Sequence, residues 1–118
     1  MNIKKFDIET YYKTIGEHTT QEFLEDSVLC HTIDYDFKHI NYLIPKDVYD
    51  ELWSMTDDFL FNRKEFKLNE LEKHFANYTF SIYKKRVAAK KLALIFVNLL
   101  YIKKKVRTPN GFNFRIKK

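Results

Sequence analysis

The sequence predicts a mainly α protein with a small β component, an α+β fold, within a chain of 118 residues. Three observations lead there. Apolar residues recur at helical spacing through most of the chain. Glycine and proline number two each, too few for the turns of a many-stranded β-sandwich. The last seventeen residues instead alternate about Thr108-Pro109-Asn110-Gly111, which reads as one β-hairpin. Hydrophobic residues make up 45% of the chain, enough to pack a core.

Taken in order, Asp7 can cap a helix that carries Ile8, Tyr11, Tyr12 and Ile15 on one face and closes at Gly16. Thr19 and Glu22 have capping-box spacing and open a second helix through Phe23, Leu24 and Val28. Ile33, Tyr35 and Phe37 then alternate as a strand, and Ile40, Tyr42 and Ile44 alternate in the opposite parity. A bulge or a tight hairpin near Lys38 and His39 accounts for the change. Pro45 suits the entry of a helix through Val48, Leu52, Met55 and Phe59, ending near Asn62. Glu65 to Lys67 is a short extended piece. Asn69 can cap a two-turn helix through Leu71 and Phe75 to about Asn77. Thr79 or Ser81 can cap a long helix bearing Ile82, Ala89, Ala93, Phe96 and Leu100, which stops near Leu100.

In the tail, Ile102, Lys104 and Val106 alternate with Lys103, Lys105 and Arg107. Phe112, Phe114 and Ile116 alternate with Asn113, Arg115 and Lys117. A type I turn with Gly111 as the left-handed residue pairs Thr108 with Phe112, Arg107 with Asn113 and Val106 with Phe114. In this register both faces stay unmixed.

Charge is polarised along the chain. Residues 1–59 carry 13 Asp and Glu against 5 Lys, whereas residues 60–118 carry 16 Lys and Arg against Glu65, Glu70 and Glu72. From Lys73 to the C-terminus there are 13 basic residues and no acidic one. A field of one sign repels itself unless an anion is near, and nucleic acid is the commonest such partner. The bland alternative is a solvated lysine face balanced by the acidic half of the same chain.

The order helix, short strand, two-turn helix, turn, long helix and basic hairpin resembles the winged helix-turn-helix superfamily of DNA-binding proteins. The resemblance covers roughly Pro45 to Lys118. It is carried by LNELEKHFANYTFSIYKKRVAAKKL and YIKKKVRTPNGFNFRI. Asn77-Tyr78 stands where the family's turn usually has a small residue. The segment YLIPKDVYDEL is also similar to the entry of the winged domain of plasmid replication initiators. The resemblance divides the chain into an acidic N-terminal extension, residues 1–44, for packing or dimerisation, and a winged domain, residues 45–118. It implies that the long helix enters the major groove and that the hairpin wing touches the DNA backbone or minor groove.

The expected DNA-contacting set is Ser81, Tyr83, Lys84, Arg86, Val87, Lys90 and Lys91 on the helix, and Lys103, Lys105, Arg107, Asn110 and Arg115 on the wing. On a helical wheel Arg86, Lys90, Tyr83, Val87, Lys91 and Lys84 do lie opposite Ile82, Ala89, Leu92 and Ala93. The 17 Lys and 4 Arg favour phosphate binding over bidentate base readout. Leu94, Ile95 and Val97 lie off the main apolar arc, so either the N-terminal half or a second protomer must cover them.

Catalysis has little support: the sequence holds no phosphate-cradling Gly-rich loop, no G-x-S-x-G and no H-E-x-x-H. Cys30-His31 with His39 lacks a third partner, and four scattered histidines do not make a zinc site. Asp34, Asp36, Asp57 and Asp58 read as solvated carboxylates. No catalytic residue, cofactor or metal is expected. The single cysteine and the absence of an apolar leader suit a soluble, cytoplasmic protein with no membrane partner. The sequence thus favours a duplex DNA binder, a small regulator of transcription or an accessory factor in replication or partition of a mobile element, monomeric or homodimeric. The rivals are a module docking an acidic protein partner and a binder of single-stranded nucleic acid.

Overall fold

A computed structural model describes residues 7–77, 85–110 and 113–117, with the side chains of 85–88 and 108–110 left out. The first helix, α1 (Ile8–His18), is capped by the Asp7 carboxylate, which accepts from the Glu9 N–H and the Thr10 hydroxyl. It does not close at Gly16. It runs to Thr19, whose extended backbone ends it and whose hydroxyl bonds Thr32 at 2.8 Å.

The second expected helix is absent. Thr19–Val28 instead supplies β1 (Thr20–Phe23) and the start of β2 (Ser27–Ile33), which pair antiparallel with Thr20 opposite His31 and Phe23 opposite Val28. The period explains it. Val28, Cys30 and Thr32 are buried, while Ser27, Leu29 and His31 are half-buried, a two-residue alternation that the capping-box spacing obscured. The next strand also stops earlier than expected, at Ile33. Residues 34–38 form a hairpin turn in which the Asp34 carboxylate accepts from the Asp36 and Lys38 N–H groups, and Phe37 takes φ 60°. Asp34 is therefore a turn-forming residue as well as a solvated charge. Then β3 (His39–Pro45) completes a sheet of order β1-β2-β3. Of the bulge and the hairpin, the hairpin is what occurs.

Helix α2 (Lys46–Leu60) starts directly from β3 with Pro45 as its cap residue, and ends short of Asn62. It leads through β4 (Glu65–Lys67) to α3 (Leu68–Ala76). The start of α3 is fixed at Lys67, not Asn69: the Glu70 carboxylate folds back onto the Lys67 N–H at 2.9 Å. Helix α4 (Lys85–Ile102) runs past Leu100. The Thr79 or Ser81 cap lies outside the described residues.

The tail strand does not begin at Ile102. Residues 100–105 instead form a left-handed helix ending, with Lys105 N–H on the Leu100 carbonyl, Lys104 N–H on Tyr101 and Lys104 at φ 60°. Strands β5 (Val106–Asn110) and β6 (Asn113–Ile116) then join β4 in a second sheet of order β4-β6-β5.

Their register is two residues from the one expected: Val106 pairs with Ile116 and Arg107 with Arg115, and a bulge brings Asn110 opposite Asn113. Strand β6 is pinned from its other side, with Phe114 opposite and stacked on Phe66 at 5.4 Å. Those contacts outweigh the turn chemistry. An even shift preserves the faces, so Val106 and Phe114 are buried and both arginines exposed. The turn geometry proposed for Gly111 lies outside the described residues.

One hydrophobic cluster links both sheets, with Val28, Cys30 and Ile44 sharing it with Leu52, Phe75, Phe96 and Phe114. Helix α4 is its axis. Leu94, Ile95 and Val97 are buried within the single chain, so the N-terminal half covers the outer side of α4. The contact is specific: Asn98 of α4 accepts from the Tyr11 hydroxyl at 3.3 Å and donates to Thr32 Oγ1 at 2.7 Å and to the Ile33 carbonyl at 3.2 Å.

Candidate nucleic-acid interface

The twelve expected contact residues separate into three groups. Ser81, Tyr83 and Lys84 lie outside the described residues. Arg86 and Val87 occupy the first turn of α4, and Asn110 ends β5; the side chains of these three are likewise outside them.

Lys90 and Lys91 are exposed on α4, as helical periodicity requires. They line a groove whose floor includes Ile40, Leu68 and Leu94 and whose rim includes Asp34, Asp36 and Glu72. No Glu stands at helical spacing to balance these lysines, but the β2–β3 turn and α3 bring carboxylates beside them in space. Lys38 lines the same groove, and among the described residues neither Lys90 nor Lys91 forms a salt bridge.

Lys103 and Lys105 are not wing residues. They flank the left-handed Lys104 at the end of α4, and their ammonium groups lie 4.5 Å and 5.7 Å from the ring centroid of Trp53 on α2. Along α4 this is roughly 18 Å from Lys91, at 1.5 Å per residue. Sequence reasoning missed Trp53. Its signal was faint: a lone tryptophan on the apolar face of α2, widening that face like any core residue.

The β4-β6-β5 sheet carries exposed cations. On its exposed face Arg107 and Arg115 are cross-strand partners, with Lys117 exposed just beyond Arg115, its N–H donating to the Lys105 carbonyl at 2.8 Å. Glu65 pairs with Arg115 from β4, but its carboxylate accepts from Asn113 Nδ2 at 3.1 Å. Among the described residues the one salt bridge is Arg63–Glu70, at 3.0 Å. Lys104 and Lys117, absent from the expected set, line a groove together with Arg107.

The other side-chain clusters have a different character. Cys30 is buried, burial pushes its thiol pKa up, and Gln21 reaches its sulfur. The adjacent His31 faces the other side of the strand and bonds Asn41. The histidines are less scattered than their sequence positions suggest. His39 Nδ1 lies 3.2 Å from His31 Nε2, and the His18 ring is edge-on to His39. Among the described residues no three His, Cys, Asp or Glu groups converge as metal ligands. Tyr101 packs against Tyr12 with ring centroids 5.1 Å apart. Among the described residues no helix is long and apolar enough to cross a membrane.

No protein-family model matches the chain, and no curated protein or solved structure is significantly similar to it.

Proposed function

We propose that the chain is a winged helix-turn-helix protein that binds duplex DNA, with the β4-β6-β5 sheet as its wing and α4 as its groove-facing helix. Its role would be that of a small regulator or an accessory factor in replication or partition, without catalysis. The observation that carries the reading is the pairing of Arg107 with Arg115 on an exposed face that also holds Lys117. Two guanidinium groups directly opposite each other in a sheet destabilise it. A phosphate between them would turn that repulsion into two charge-assisted contacts. The order of elements α2-β4-α3-α4-β5-β6 supports the same reading, since it is the order the resemblance requires.

The mechanism weights the backbone over the bases. Lysines supply point charges, and Arg107 and Arg115 supply two forks, so affinity should be high at low salt and fall steeply as counterions compete. Sequence preference would come from the first turn of α4, where Arg86 lies, and from groove width probed by the wing. A mobility shift on random duplex over a salt series tests this, with single-stranded competitor in a parallel lane. A steep salt dependence and preference for duplex support the proposal.

A second reading, docking of a protein partner, draws on the groove beside Lys90 and Lys91. Its apolar floor of Ile40, Leu68 and Leu94 suits a side chain better than a phosphate. No shift of duplex at low salt would move that reading ahead.

A further inference from the structure

The exposed face that holds Arg107 and Lys117 continues into a groove at the end of α4, where Lys104 joins them. A groove of about 470 Å³ lies between α1, the end of α4 and β5. Its walls include Gly16, Tyr101, Lys104, Arg107 and Lys117, and no carboxylate. The three cations come from two stretches of backbone, Lys104 and Arg107 from the α4–β5 junction and Lys117 from the end of β6. The Lys117 N–H on the Lys105 carbonyl ties the end of β6 beside the helix terminus. The pairing of Arg107 with Arg115 holds the middle of β5.

Lys104 is the informative member. It occupies the left-handed position of the helix ending, at φ 60°, where glycine is the residue of least strain. A lysine there costs stability, and this lysine lines the groove with two other cations. Strain of this kind persists where the rest of the fold enforces it, and it collects at binding sites. Its neighbours turn the other way, Lys103 and Lys105 lying over Trp53. The left-handed turn thus separates one lysine from the other two and directs it to the groove.

We infer that this groove is a phosphate-binding site for the DNA backbone, held by Lys104, Arg107 and Lys117 with the Tyr101 hydroxyl as an additional donor. The inference rests on the proposed DNA reading and extends it: the backbone contact continues from the wing face around to the far end of α4. Charge complementarity selects the occupant, since three cations without a carboxylate suit a polyanion.

The test uses the full chain and three variants, Lys104→Gly, Lys117→Ala and the remote Lys46→Ala, which removes a charge at the start of α2. Thermal melting and duplex affinity across a salt series are measured for each. Lys104→Gly should melt higher than the parent and yet bind duplex several-fold more weakly at moderate salt. Its salt slope should fall by about one. A purely structural role for Lys104 gives the higher melting point without the loss of affinity. Lys117→Ala should lose a similar slope, and Lys46→Ala none. If the parent binds duplex and both groove variants keep its slope, the groove is not on phosphate, and the wing reading then rests on Arg107 and Arg115 alone. If the parent binds no duplex at any salt, the DNA reading falls and takes the groove with it.

Discussion

Arg107 faces Arg115 across β5 and β6, two like charges in one row of an antiparallel ladder. Opposite charges in such a row stabilise a sheet by about 0.2–1 kcal/mol, and like charges cost a similar amount. In the free protein this pair is therefore a small liability. Arg107→Thr, which keeps a good strand former, should raise stability by a few tenths of a kcal/mol, about 0.2–1 at most. Urea denaturation of the two proteins measures it. A clear loss of stability would mean that Arg107 packs in a way its exposure does not suggest.

The buried amide of Asn98 joins three elements, α1 through Tyr11, β2 through Thr32 and Ile33, and its own helix. Asn98→Ala leaves buried polar partners behind and should destabilise by about 1–3 kcal/mol. Asn98→Leu should not rescue the loss, although it restores volume, because it replaces none of the amide's bonds to Tyr11, Thr32 and the Ile33 carbonyl. A leucine variant as stable as the parent would reduce Asn98 to a tolerated polar residue.

Gly16 lies inside α1, and a Cβ added to it meets nothing within 4 Å. Gly16→Ala should stabilise the fold by about 0.5–1 kcal/mol through helix propensity and lower unfolded-state entropy. A lowered melting temperature would contradict the helical placement.

Glu70 gives the acid response a sign. The Lys67 N–H, and after it Arg63, hold its carboxyl below the ordinary value of 4.5. A depressed folded-state value means stability that is present above about pH 4.5 and lost as pH falls through the folded value. The groups are largely exposed, so the effect stays under about 1 kcal/mol. Glu70→Gln should be less stable than the parent at pH 7, and the two should converge as pH falls through the folded-state value. A gap that persists at low pH would assign the effect to packing.

Elements whose periodicity was unambiguous were legible in the sequence. The helix from Lys46 to Leu60, the short strand at Phe66 and the helix carrying Leu71 and Phe75 follow the expected spacing. The first sheet was less legible because Thr19 and Glu22 imitate a capping box, and only pairing with His39–Pro45 reveals Ser27–Ile33 as a strand. Tertiary pairing decided over local signal there, and again in the second sheet. Local turn chemistry favoured one register, and the stack of Phe114 on Phe66 selected another.

The candidate site was legible to the same extent. Alternation put Arg107 and Arg115 on the outer face in either register, because the shift is even. The positions of Lys103 and Lys105 were not readable, since one left-handed residue at Lys104 replaces the start of a strand with the end of a helix. Nor could the sequence show that Asp34, Asp36 and Glu72 line one groove with Lys90 and Lys91.

The most direct measurement is the salt dependence of duplex affinity for the parent and the Arg107→Ala/Arg115→Ala variant, by anisotropy of a labelled duplex, with melting curves on the same samples. The account predicts a steep linear fall of log affinity with log salt for the parent, and a slope shallower by about 1.8 for the variant, two phosphate contacts at roughly 0.9 each. The variant should melt no lower than the parent. A variant that melts like the parent and binds with the same affinity and slope would contradict the account, for the hairpin would then not be a DNA-contacting wing.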